Sequence, residues 1–203
     1  AAVDAVTTDI IDRWKSVDGI INNAGIIQPF IKINQLEFSA IERVVNVNFY
    51  GVLYFTKAFL PHLLTRPEAY IVNTSSMGGF LPVPGQAIYG ATKAAVKLMT
   101  EALSAELIDT NVHVAVVFPG AIETNITKNS GVEMPIPKGG IENQKLKPLP
   151  ASEAARQIVL AMEKNRTRIF VGNDSKLMDI LYRINPNFAI KFIAKQMKSL
   201  LER

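Results

Sequence analysis

Residues 69–93 read AYIVNTSSMGGFLPVPGQAIYGATK. Ala69 to Thr74 is a short apolar run closed by a Ser/Gly/Pro cluster, the pattern of a buried strand ending in a loop. From Gln86 the chain becomes Ala-rich and keeps a helical period to Ile108, with Ala91, Ala94, Ala95, Ala102 and Ala105 allowing close approach of another helix or a ligand. Tyr89 and Lys93 stand four apart at the start of that helix and share one face, one turn from each other. Ser76 lies thirteen residues before Tyr89, at the strand end, where its hydroxyl can bond a substrate oxygen. A phenol with an ordinary pKa near ~10 is a poor acid-base group at neutral pH. Lowering it by about 3 units takes roughly 4 kcal/mol of preferential phenolate stabilisation, which an ammonium in a partly dry cleft can supply.

Outward from this stretch, the same alternation continues. Ala1 to Lys15 spaces Val3, Val6, Ile10, Ile11 and Trp14 as an amphipathic helix, and Val17 to Asn22 reads as a strand. Gln35 to Leu64 is expected as one long helix that Pro61 bends or ends. Downstream, His113 to Phe118 is the third strand. Glu123 to Pro150 has no period and four prolines, and is expected as a lid. Ser152 to Lys164 is a helix with a capping signature, Arg168 to Val171 a fourth strand, and Asp174 to Arg203 a helical tail interrupted at Pro186. Strands alternating with helices imply an α/β fold with a parallel sheet covered on both faces. The expected division is 1–173 as the catalytic domain and 174–203 as an amphipathic helical extension.

Composition narrows the function classes. With 203 residues and 48% apolar content the chain can build one domain with a sizeable core. A net charge of +4, spread along the chain, gives no nucleic-acid footprint. There is no cysteine, and His62 and His113 are isolated, so no metal is expected. No long apolar run and no leader pattern is present, and the expected location is cytoplasmic.

Three further motifs complete the pattern: NNAG at Asn22 to Gly25 after an apolar run, Asn48-Phe49-Tyr50-Gly51 within the long helix, and PGAIET at Pro119 to Thr124 after the third strand. Together with Ser76, Tyr89 and Lys93, their order and spacing resemble the short-chain dehydrogenase/reductase family over nearly the whole chain. The resemblance implies a Rossmann-like doubly wound sheet and hydride transfer between NAD or NADP and a carbonyl or alcohol. In that scheme Tyr89 is the acid/base and Ser76 orients the substrate oxygen. Lys93 binds the nicotinamide ribose and depresses the Tyr89 pKa, and Asn48 holds a water of the proton relay. Asn22, Ala24 and Gly25 approach the adenosine side, and Pro119, Gly120, Ile122 and Thr124 the nicotinamide.

The family's glycine-rich phosphate turn, ordinarily upstream of these motifs, has no counterpart here, so the chain is expected to be the N-terminally incomplete part of such an enzyme. Alone, it is expected to leave the strand Gly19 to Asn22 as an apolar edge and to bind no NAD(P)H. Ile126, Val132, Met134, Ile136, Ile141, Leu146 and Leu149 of the lid, with Met77, Phe80, Leu81 and Val83, suggest an apolar or bulky substrate. The resemblance also implies a homodimer or homotetramer packed through the two long helices. A second reading is a non-catalytic relative serving as an oligomerisation or membrane-surface module. In the tail, Phe188, Ile190, Phe192, Ile193, Met197, Leu200 and Leu201 oppose Lys191, Lys195 and Lys198, which suits a membrane surface or packing on the domain.

Overall fold

The computed structural model describes residues 2–133 and 148–198. Four parallel strands, β1 (Gly19–Asn22), β2 (Ala69–Thr74), β3 (Val112–Pro119) and β6 (Arg168–Val171), form one sheet in the order β1-β2-β3-β6. Ile20 pairs with Ile71, Ile71 with Val114, and Val117 with Ile169. Neighbouring residues of each strand serve opposite faces. Ile71, Val112 and Val114 pack with Phe59, Leu63 and Leu103, beneath α1 (Ala2–Trp14), α3 (Gly51–Leu63) and α4 (Ala87–Glu106). Val72, Ala115, Val117, Ile169 and Val171 pack with Ala154, Ile158 and Met162 of α6 (Ala151–Met162). Burial on both faces explains the unbroken apolar runs of β2 and β3, and each fully buried Val or Ile contributes roughly 1.5–3 kcal/mol. Among the described residues β1 is an edge, with Ile21 49% exposed.

Several expectations need correction. The long helix does not begin at Gln35, which belongs to a short 3₁₀ turn (Ile33–Gln35); α2 begins at Phe38 and runs to Val45. It continues into α3 through one wide π turn, Asn46–Tyr50, and passes Pro61 to end at Leu63. Pro61 forfeits a bond to the carbonyl of Lys57, and the helix stops two residues later. The capping signature assigned to Ser152 is not used. Helix α6 starts at Ala151 behind Pro150, and Glu153 instead takes hydrogen bonds from Arg156 and Gln157. The segment expected as an aperiodic lid is tied at its base. Ile122–Glu123 (β4) pairs in parallel with Leu149–Pro150 (β5), and a short helix, α5 (Ile126–Ser130), ends at Gly131 with φ of 67°. Ile122 and Leu149 pack on the α6 side of the core. Met134, Ile136, Ile141 and Leu146 lie outside the described residues.

The C-terminal part forms α7 (Asn173–Ile184) and α8 (Pro186–Gln196). Ser175 at the start of α7 is fully buried, and its hydroxyl donates to Phe118 O at 2.7 Å, fastening the helix to the end of β3. On α8 the inward stripe is Ala189, Ile193 and Met197, while Phe188, Ile190 and Phe192 face outward, so the apolar face expected from the sequence divides in two. Leu200 and Leu201 lie outside the described residues. No described helix is long and apolar enough to cross a membrane.

Candidate active site

The carboxyl ends of β1, β2 and β3 bring the expected residues together, as open parallel sheets do. Ser76 follows β2 in extended conformation, and its Oγ accepts from Gly78 N at 3.0 Å, capping the turn Met77–Gly79. The turn must lie close to α4. A β-carbon on Gly79 would stand 2.6 Å from Ser75 Oγ and 2.9 Å from Lys93 O, and one on Gly78 would touch the Tyr89 ring at 3.4 Å. Ser75 Oγ donates to Lys93 O at 2.7 Å and closes that contact.

Tyr89 lies in the first turn of α4 with its ring beside Ser76: the β-carbon position of Gly78 is 3.4 Å from the Tyr89 ring and 3.5 Å from Ser76 Oγ, which brings the two hydroxyls within each other's influence. Lys93, one turn on, is 3% exposed and donates from Nζ to Thr74 O at 2.8 Å, with Nζ 5.9 Å from the Tyr89 ring centroid. Burial lowers the Lys93 pKa to about 8. Tyr89 does not show the depressed pKa expected of it. Burial of the phenol raises it above its ordinary value, and the bond to Ser76, rather than the Lys93 ammonium, pulls in the other direction. Desolvation penalises the phenolate more than one hydroxyl bond favours it.

Asn48, within the π turn, is fully buried and commits its side chain to the loop after β1. Oδ1 accepts from Ile26 N at 2.9 Å, and Nδ2 donates to Ile26 O at 2.9 Å and to Thr92 Oγ1 at 3.2 Å. Thr92 Oγ1 in turn donates to Tyr89 O at 2.7 Å. Asn22 also faces inward. Its Nδ2 donates to Asn73 Oδ1 at 2.8 Å and Thr56 Oγ1 at 3.1 Å, so it ties the strand ends to α3. Ala24 is exposed. A β-carbon on Gly25 would stand 3.2 Å from Lys93 Nζ, so this glycine keeps room beside the ammonium.

At the end of β3, Pro119 and Gly120 border a cavity of about 210 Å³ that they share with Ile27, Phe30, Ser76, Met77, Val83, Gln86, Tyr89, Ala121 and Met197. Gly120 N donates to Val171 O at 2.9 Å, and Ala121 N donates to Asp174 Oδ2 at 2.7 Å. A β-carbon on Gly120 would overlap the Asp174 carboxylate. Thr124 is exposed beyond β4. Met77 and Val83 line the cavity as expected. Leu81 is fully buried and Phe80 packs edge-on to Phe118 at 5.6 Å, so these two anchor the loop.

Sequence reading missed Gln28, whose side chain meets the start of α4, and also Thr92, Ser130 and Asp174. Ser130 Oγ accepts from Ile27 N at 2.9 Å, and Arg43 Nη1 donates to Ser130 O at 3.0 Å. Each acts across a long sequence separation, and none carries a local signature. Among the described residues no group of three or more His, Asp or Glu is placed to hold a metal.

The fold and this cleft define a doubly wound α/β protein with its site at the carboxyl ends of the strands. Residues 1–134 match the family model described as short chain dehydrogenase. The putative oxidoreductase SadH of Mycobacterium tuberculosis is 37% identical over 188 residues, covering 90% of this chain and 68% of that protein. A short chain dehydrogenase/reductase from Burkholderia phymatum, in complex with NAD, superposes with a TM-score of 0.79 at 23% identity, covering 92% of this chain and 72% of that one. A Burkholderia cenocepacia short chain dehydrogenase, in complex with NADP, gives 0.77 at 23% identity, covering 94% and 73%. The chain belongs to the short-chain dehydrogenase/reductase family.

Proposed function

We propose that this chain carries the catalytic face of an NAD(P)-dependent oxidoreductase that interconverts a carbonyl and an alcohol, with Tyr89 as acid/base. The observation that carries the reading is the meeting of Ser76, Tyr89 and buried Lys93 at the carboxyl ends of parallel strands. Residues 1–173 are proposed as the catalytic unit and 174–203 as an extension, of which Met197 lines the same cavity.

The residues present fit the ribose and nicotinamide end of a dinucleotide. Gly25 leaves space beside the Lys93 ammonium, which has further N–H donors beyond the one given to Thr74 O. Lys93 would hold the ribose with Tyr89 as a minor contact; Pro119, Gly120, Ile122 and Thr124 would serve the nicotinamide, and Ala24 and Gly25 the adenosine side. Asn22 contributes by fixing the end of β1, its amide being committed to Asn73 and Thr56. When bound, NAD(P) supplies or takes up the hydride at the reacting carbon. Ser76 Oγ accepts from Gly78 N, which leaves its one proton to serve the Tyr89 oxygen in the empty cleft and the substrate oxygen in the filled one. Tyr89 then gives a proton to that oxygen in reduction and removes it in oxidation. The ammonium of Lys93 favours the phenolate once both line a filled, water-free cleft. The family resemblance implies a relay water at Asn48, whose side chain is committed to Ile26.

Ile27, Phe30, Met77, Val83 and Met197 make the cavity walls apolar, which favours an apolar or bulky carbonyl or alcohol. We further propose a homodimer or homotetramer in the cytoplasm, with the outward Phe188, Phe192, Lys191 and Lys195 of α8 available to an anionic membrane surface. The test is loss of reduced-nicotinamide absorbance by the full-length protein with benzaldehyde, acetophenone or decanal, using Tyr89→Phe as the control. Turnover that depends on Tyr89 supports the reading; a folded protein that oxidises neither NADH nor NADPH with any of these probes overturns it.

A further inference from the structure

Helix α4 begins at Ala87, so the N–H groups of Ile88 and Tyr89 have no partner within the helix. The usual remedy is a Ser, Thr, Asp or Asn at the cap position. Here the cap is Gln86, which makes no such bond to its own helix. The acceptor comes instead from the loop after β1. Gln28 Oε1 accepts from Ile88 N at 2.8 Å and from Tyr89 N at 3.0 Å. In return Gln86 Nε2 donates to Gln28 O at 2.8 Å. Gln28 is fully buried and Gln86 is 3% exposed. Both amide orientations are dictated by these partners, since two N–H groups require an oxygen and a carbonyl requires an NH₂.

The main chain of Tyr89 is thereby tied to that loop twice, directly through its N–H on Gln28 and indirectly through its carbonyl, which takes the hydroxyl of Thr92 on its own helix while Asn48 bonds Thr92 and clamps Ile26. We infer that Gln28 is a positioning residue for the Tyr89 acid/base: it fixes the first turn of α4 against the Ile26–Gln28 loop, so the phenol meets Ser76. The inference rests on the proposed role of Tyr89, and it explains why a long neutral amide occupies a site inaccessible to a short cap. Glutamine reaches across from another segment and accepts two hydrogen bonds without placing a carboxylate beside a group that must become an anion.

Three variants of the full-length protein test it: Gln28→Met, which keeps the length but not the acceptor, Gln28→Glu, which keeps the acceptor, and Gln28→Ala. Amide hydrogen exchange at Ile88 and Tyr89 is expected to quicken at least tenfold in Gln28→Met and Gln28→Ala, and to stay near wild type in Gln28→Glu. With the probe aldehyde or ketone that the wild type reduces, Gln28→Met is expected to lose at least tenfold in kcat with KM for the reduced nicotinamide within about twofold. Gln28→Glu restores the acceptor but sets a carboxylate near the phenol, so it is expected to recover most of that kcat with its pH profile displaced upward. Unchanged exchange in Gln28→Met, or a folded Gln28→Met with wild-type kcat, overturns the inference. A loss that Gln28→Glu restores at no pH, with exchange at Ile88 and Tyr89 back to the wild-type rate, also overturns it. If the wild type reduces none of the probes, the proposed reaction fails instead, and the exchange measurement alone decides whether Gln28 caps α4.

Discussion

The ammonium of Lys93 donates to the main-chain oxygen of Thr74 at 2.8 Å, while its carbon chain lies buried between β2 and α4. The strand that delivers Ser76 is thus bonded directly to the helix that carries Tyr89. Holding that charge in the interior costs stability, and the pH dependence has a definite sign. Below pH 8 the folded and unfolded chains both keep the lysine proton, and the burial penalty is present in full. Between about 8 and the ordinary 10.5 the folded chain has released the proton and the unfolded chain retains it, so stability rises with pH. We expect the stability of wild type relative to Lys93→Met to increase by about 3 kcal/mol from pH 7 to 10.5. Denaturant unfolding at a series of pH values measures it; a flat difference would mean that the lysine is hydrated.

Tyr89→Phe removes the hydroxyl and little else. Turnover is expected to fall well over tenfold, more than about 1.4 kcal/mol in the barrier, with cofactor affinity nearly unchanged. Single-turnover kinetics and a fluorescence titration separate the two quantities. A variant retaining more than a tenth of wild-type kcat would show that the proton travels by another group.

Because burial raises the Tyr89 pKa and Ser76 lowers it, Ser76→Ala is expected to raise the phenol further. Ultraviolet titration of phenolate in the protein free of cofactor, with Tyr89→Phe as the subtraction, reports the shift. A lower pKa in Ser76→Ala would contradict the assigned hydrogen bond.

Asn48→Ala leaves Ile26 N and Ile26 O without their buried partner. The expected cost is about 2–4 kcal/mol of stability, and Asn48→Asp should cost a similar amount because an ionised carboxylate cannot donate to Ile26 O. Urea midpoints at constant m-value check this. Equal stability of all three proteins would mean that the loop detaches freely.

Two glycines differ in what they require. At Gly79 there is no room for a β-carbon, and Gly79→Ala is expected to cost about 1–3 kcal/mol through displacement of Ser75 and the α4 backbone. At Gly131 an added β-carbon meets no atom of the described residues within 4 Å, and only the positive φ of 67° is demanding. Asparagine tolerates that conformation, so Gly131→Asn should be nearly silent. Thermal melts of both variants distinguish crowding from backbone strain.

Strands β2 and β3 were legible because burial on both faces writes them as apolar runs, and Tyr89, Lys93 and Ser76 because their spacing survives folding as proximity. What escaped reading has a common cause. The π turn at Asn46–Tyr50 looks like ordinary helix in sequence, and its wider winding is visible only where Asn48 meets Ile26. Gln28 caps a helix that begins some sixty residues later, beyond the reach of any local rule. Strands β4 and β5 are too short to show a period. Ser152 carried a local capping signature that lost to Pro150, whose fixed backbone starts α6 without it. Tyr89 was expected to be a perturbed acid from its neighbour alone, whereas burial, a tertiary property, sets the direction.

The strand order also bears on how the chain reaches its native state. Each pairing in the sheet joins residues roughly 40–50 positions apart, as Ile71 with Val114 and Val117 with Ile169. No hairpin can nucleate it, because a parallel neighbour becomes available only after an intervening helix has crossed over. The unit with most to gain from early assembly is β2, α4 and β3, which shares Ile71, Leu103 and Val114 in one core cluster. Slow folding through that central unit would leave β1 and β6 to join last, so the catalytic helix would be in place before either flanking strand of the sheet.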